Sequence, residues 1–145
     1  DAPSSITRLQ NMGTPNYLIS AALSLIMAQR LARRNCSECR EKDVNVTPKL
    51  LNSIGFLPEQ SARATIYKGK GCDQCSNTGY KGRMGVYEIL EIDKELKQGI
   101  LSDLSQAELN GIAKKNGFRT MQEMGHDLLL SGDLSYSEFE RVLQS

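Results

Sequence analysis

Four cysteines fall in two identical C-x-x-C pairs, Cys36 with Cys39 in NCSECR and Cys72 with Cys75 in GKGCDQCSNTGYKGR. A C-x-x-C turn can aim both sulfurs at one point, and a second such turn can complete a tetrahedron around an ion at Zn–S distances of about 2.3 Å. Thiolates favour zinc over magnesium or calcium, and four of them fill its usual shell, leaving no position for an activated water. The spacing therefore predicts a structural zinc site on Cys36, Cys39, Cys72 and Cys75. An iron centre with four cysteine ligands uses the same donors and stays open at this point. So do two disulfides or two redox dithiols, although nothing around either pair resembles a thioredoxin active site.

Structural zinc contributes roughly 10 to 16 kcal/mol in finger peptides, well above the slowly growing entropy of closing the loop between the pairs. Such an ion can hold together an insertion with little core of its own. Four thiolates around a divalent cation leave net negative charge, and Arg33, Arg34, Arg40, Lys42, Lys68, Lys70, Lys81 and Arg83 are the nearby compensating groups.

At 145 residues the chain has about the size of one domain, and its 39% apolar and 24% charged residues suit a globular protein. A formal charge of +1 gives no general attraction to polyanions. The opening DAPSSITRLQ has neither an initiator Met nor a basic-then-apolar leader, so the sequence reads as an excised piece from a reducing compartment, with the cytoplasm as the expected location. The most apolar run, YLISAALSLIMA at 17 to 28, is too short to span a bilayer and is soon followed by Arg30, Arg33 and Arg34.

Along the chain, a first helix is expected over 4 to 12, ending near Gly13. Thr14-Pro15 then reads as a cap and first-turn proline for a second helix running to about Ala28, apolar on most sides and so buried. Residues 29 to 35 read as a short strand or a helix end. Thr47-Pro48 opens a short helix that stops at Gly55, and another follows Pro58. ATIYKG and GVYEILEI, rich in Ile, Val and Tyr, read as strands flanking the second cysteine pair. The glycines there suit tight turns, since no G-x-x-x-x-G-K-[ST] occurs anywhere in the sequence. Beyond Asp93 three S/T-x-x-E signatures, at Ser105, Thr120 and Ser135, announce a closing helical bundle, with apolar positions Leu109 and Ile112, then Met121, Met124 and Leu128, then Phe139, Val142 and Leu143.

DAPSSITRLQNMG, AQRLARRNCSEC, KGCDQCSNTGYKGRMGVYEILEID and GFRTMQEMGHDLLLSGDLSYSEF together resemble the secretion and pilus-assembly ATPases of the type II secretion and type IV pilus machines. The resemblance implies an α+β, helix-rich fold. It would comprise the C-terminal part of a RecA-like P-loop ATPase core over 1–35, a tetracysteine zinc subdomain over 36–80, and a return strand with a helical C-terminal bundle over 81–145. It also implies a parent protein that binds ATP and Mg2+, forms a homo-hexamer, and works in the cytoplasm against inner-membrane platform proteins. The phosphate loop and the acidic residues of that family lie upstream of Asp1 in its pattern, so this piece alone is expected to be inactive. Arg83, in the G-R-x-G segment, is placed by the resemblance near nucleotide phosphate in the complete motor; charge compensation beside the thiolates is the other reading. Arg30 and Arg33 are expected to be solvated or to pair with helix-end carbonyls.

His126, the single histidine, is expected to face solvent and to carry no chemistry, and Glu38, Glu41, Asp43 and Asp73 read as surface charge. The competing function is a free-standing zinc-ribbon-like module that binds nucleic acid or protein. Near-neutral charge and the lack of aromatics among the basic residues argue against nucleic acid. A redox dithiol protein is the third class.

Overall fold

Pairing between two distant stretches organises the chain. Residues Leu25–Asn35 form an 11-residue strand, β1, and Tyr80–Glu91 form a 12-residue strand, β4, and the two make a two-stranded sheet. Backbone bonds near their ends, Ile92 N to Ser24 O and Cys36 N to Gly79 O, run them antiparallel. The computed structural model describes residues 1–144 and has mixed helix and strand, as expected.

Before β1 stand α1 (Ser4–Asn11) and α2 (Asn16–Ala22). The long helix expected to reach Ala28 is thus cut short, because Leu23 turns extended and the next residues pair with β4. Its apolar run fits a strand as well as a helix, and only the remote partner decides between them. Burial on most sides also fails: Ile19 is buried, whereas Tyr17, Leu18, Leu25 and Met27 are exposed. Nor does Thr14 cap α2. Pro15 is the boundary residue, its carbonyl accepting from Leu18 N and Ile19 N, and no side-chain cap bond forms.

The chain divides into two compact units, one of Asp1–Gln29 with Tyr87–Met121 and the other of Arg30–Val86 with Gln122–Ser145. In the first, α5 (Lys94–Leu101) and α6 (Gln106–Lys115) share a core with α1 and α2. Ile6, Ile19, Leu90, Leu96, Ile100 and Leu109 are its main buried side chains. Ser105 and Glu108 cap α6 reciprocally, as their spacing predicts, and the Ser105 amide and hydroxyl hold the Glu108 carboxyl below its usual range. Buried Glu88 on β4 takes the amides of Ala2 and Met121, one on each carboxylate oxygen.

In the second unit, β2 (Arg40–Lys42) pairs antiparallel with β3 (Tyr67–Gly69) in the register Arg40↔Gly69, Glu41↔Lys68, Lys42↔Tyr67. Between them lie α3 (Pro48–Ser53), capped by the Thr47 hydroxyl on Leu50 N, and α4 (Pro58–Arg63). The last helices are α7 (Met121–Ser131) and α8 (Tyr136–Leu143). The residues of α7 that are buried are Gly125 and Leu129, one position on from the expected Met124 and Leu128.

Gly125 explains that shift. A Cβ there would stand 2.4 Å from Leu143 Cδ1 and 2.8 Å from the Phe139 ring, so the helix backbone itself packs on α8. Gly125→Ala is expected to destabilise the chain by about 1 to 3 kcal/mol through overpacking, despite its better helix propensity, as read by urea denaturation.

Candidate metal centre

The first cysteine pair grows out of the end of β1. Cys36 N donates to Gly79 O at 2.9 Å, and Arg40 N returns to Cys36 O at 3.0 Å, closing a tight turn that carries Cys39. The second pair sits on a short 3-10 turn, Asp73–Cys75, with Asn77 N on Cys72 O at 2.8 Å. Ser76 and Asn77 both take the left-handed conformation, at φ 54° and 61°, which the sequence does not advertise because neither is glycine. Between the two knuckles the backbones of Gly69 and Gly79 meet so closely that a Cβ on Gly69 would lie 1.9 Å from Gly79 O. No side chain fits there.

These turns bring all four sulfurs within 4.8 Å of one another. Cys36 Sγ lies 3.8 Å from Cys72 Sγ, Cys39 Sγ 3.8 Å from Cys75 Sγ, and Cys72 Sγ 3.7 Å from Cys75 Sγ. Sulfurs bound at about 2.3 Å to one tetrahedral ion stand about 3.8 Å apart. The donor set and its spacing therefore fit a zinc-sized ion. No disulfide exists, since a bonded pair would be at about 2.05 Å and all four cysteines are free. The contacts also cross between the pairs, which two separate dithiols would not require.

Amides supply the outer contacts. Gly71 N points at Cys39 Sγ, while Cys72 N and Gly79 N both point at Cys75 Sγ, each at 3.3 Å. Burial opposes ionisation of Cys75, but the Cys72 and Gly79 amides and the adjoining Cys72 and Cys39 thiols outweigh it and lower this thiol to about 6. Cys39 moves the other way, to about 11. Burial raises it, the single Gly71 amide only partly offsets that, and its three thiol neighbours add to the rise.

Several basic residues of this unit have other engagements. Arg33 Nε donates to Glu138 at 2.7 Å and its guanidinium lies 4.2 Å from the centre of the Tyr80 ring. The Glu138 bond holds the Arg33 guanidinium above its usual range despite partial burial. Arg30 donates to the Val142 carbonyl, Lys68 pairs with half-buried Asp43 at 3.7 Å, and Arg40 stacks over Tyr67. Arg30 and Arg33 thus lie on β1 and not at the end of a helix, and both are exposed. Arg30 meets a carbonyl in the last turn of α8 (Tyr136–Leu143), which is one of the two expected outcomes, and Arg33 is held by Glu138 instead. Asp43 likewise is more than surface charge. Arg83 lies exposed on β4. Glu138 is fully buried between Arg33 and Arg141, so the expected reciprocal cap at Ser135 is only half made. Ser135 accepts from Glu138 N, but the carboxylate is turned to the two arginines.

His126 corrects another expectation. Its Nε2 is 2.8 Å from the Ile54 carbonyl, and its ring lies between Phe56 and Phe139 at centroid distances of 4.5 and 5.7 Å. It joins α7 to the α3–α4 corner. The helical wheel placed it opposite Met121, Met124 and Leu128, but a second packing face, toward the α3–α4 corner, exists there.

Residues 1–141 match the family model described as type II/IV secretion system protein. The chain belongs to that family. It is 38% identical to a type IV pilus assembly ATPase, PilB, of Thermus thermophilus, over 95% of this chain and 15% of the relative. It is 36% identical to a PilB of Acinetobacter baylyi, over 98% of this chain and 24% of the relative. A type II secretion system protein E of Aeromonas hydrophila is 30% identical over 95% of this chain and 27% of the relative. The chain therefore spans about a quarter or less of the length of these family members. Among the described residues no helix is long and apolar enough to cross a membrane.

His126→Leu is expected to keep the contacts with Phe56 and Phe139 but leave the Ile54 carbonyl without its donor. Chemical denaturation should show a loss of about 1 to 3 kcal/mol.

Proposed function

We propose that this chain is the metal-bearing C-terminal region of a hexameric ATPase that drives type IV pilus assembly or type II secretion, and that its own part in that work is architectural. The observation that carries the reading is the meeting of four sulfurs at tetrahedral spacing in a member of the type II/IV secretion system family. Cys36, Cys39, Cys72 and Cys75 would hold Zn2+, which supplies cross-linking and no reaction, because four thiolates close its shell. ATP and Mg2+ would be bound by the longer parent protein, whose sequence upstream of Asp1 would carry the phosphate loop. Residues 1–35 would complete its RecA-like core, 36–80 the zinc subdomain, and 81–145 the return strand and closing helices. The parent would act in the cytoplasm, held at the inner membrane through its platform partners.

A free-standing zinc module for nucleic acid has less support. The net charge is +1, and Arg33 and Arg40 are already stacked on Tyr80 and Tyr67.

Elemental analysis of the purified chain should give one zinc per molecule, with all four thiols protected from Ellman's reagent until a chelator is added. Chelation should then abolish the cooperative unfolding transition of the tetracysteine unit. Thiols that react freely in metal-replete protein would contradict the reading. Arg83, exposed on β4, is assigned a phosphate contact in the assembled motor. In the full-length protein Arg83→Gln should raise KM for ATP about tenfold or more while zinc content stays at one per chain. A fall in zinc content with unchanged KM would instead make Arg83 a counter-charge of the thiolates.

A further inference from the structure

Three successive carbonyls at the turn from α7 to α8 are each met by a residue bordering the first cysteine pair. Ser131 O accepts from Arg40 Nη1 at 3.4 Å, Gly132 O from Asn35 Nδ2 at 2.9 Å, and Asp133 O from Asn35 N at 2.8 Å. Asn35 immediately precedes Cys36, and Arg40 immediately follows Cys39. The second Asn35 Nδ2 proton goes to Tyr67 O at 3.1 Å, on the strand that leads to Cys72, and Arg40 stacks over the Tyr67 ring at 5.3 Å. Asn35 is 3% exposed.

The chemistry of the side chain is specific. A carboxamide nitrogen offers two protons from one atom, which here bridge two main-chain carbonyls on separate elements. Its Oδ1 is buried without a hydrogen-bond partner among the described residues, a cost the site bears while the donor end is fully used. Gly132 is shaped to receive these groups. It takes φ +84°, and a Cβ on it would stand 2.7 Å from Arg40 Nη1 and 3.0 Å from Tyr67 Cδ2.

We infer that Asn35 is a positioning residue of the cysteine centre, and that through Asn35 and Arg40 the α7–α8 turn and the bound metal stabilise one another. The inference rests on the zinc reading above. Residues that hold ligand-bearing turns in place set metal affinity although they touch no metal. If the turn orders the knuckle, then the ion must order the turn by the same factor.

The test uses the whole chain with Co2+ as probe, comparing the parent sequence with Asn35→Asp, Gly132→Ala and a control, Val142→Ala. Asn35→Asp keeps the shape but faces two carbonyls with acceptors. Gly132→Ala alters the far side of the contact and no residue near a cysteine in sequence. Chelator competition should show each of these two weakening Co2+ binding by about 10- to 100-fold, with the thiolate-to-cobalt absorption unchanged in form. Val142→Ala, buried in α8 away from these carbonyls, should change affinity by less than about threefold. Hydrogen exchange at the amides of Asn35, Gly132 and Leu134 should slow on Co2+ binding. Affinity within about threefold of the parent for both variants would overturn the coupling. So would an equal loss in the control, which would mark a global stability effect. If Asn35→Asp fails to fold, Gly132→Ala decides. Failure of the parent chain to bind Co2+ at all would instead remove the zinc reading, and this inference with it.

Discussion

The convergence of four sulfurs from two turns is the constraint on which the second unit depends. The backbone around it is built for that approach. Gly69 and Gly79 touch where no side chain can stand, two non-glycine residues take left-handed conformations, and three amides point at sulfur. Strain of this kind persists only when something over-determines it. A divalent ion shared by Cys36, Cys39, Cys72 and Cys75, as proposed above, would be a sufficient reason, since its binding energy would exceed that of any single contact in so small a unit.

Around the centre the unit is held by polar contacts as much as by apolar burial. Glu138, fully buried, takes two arginines; His126 joins α7 to the α3–α4 corner; Asn35 and Arg40 gather the carbonyls of the α7–α8 turn. Such groups are costly to bury and specify one arrangement, because a displaced partner leaves an unpaired charge or carbonyl. That is in keeping with the architectural role proposed above.

Local chemistry made much of this legible beforehand. The C-x-x-C spacing singled out the four cysteines whose sulfurs the fold brings together, and Thr47-Pro48 and Ser105 with Glu108 marked helix starts. What escaped was set by partners remote in sequence. Residues 25 to 28 became strand because β4 lies beside them. His126 found Ile54, Arg33 found Glu138, and Gly125 was needed for the close approach of α8. Periodicity shows that a face is apolar but not what will cover it. Asn35 and Glu88 gave no sequence signal, since a buried donor or carboxylate looks like any surface residue until its partners are known.

X-ray absorption at the zinc edge on the purified chain tests the central claim most directly. The account predicts a single shell of four sulfurs at about 2.3 Å with no nitrogen or oxygen. A shell containing lighter atoms, or sulfurs numbering two, would mean that the two turns do not close on one ion, and the structural account of the unit would fail.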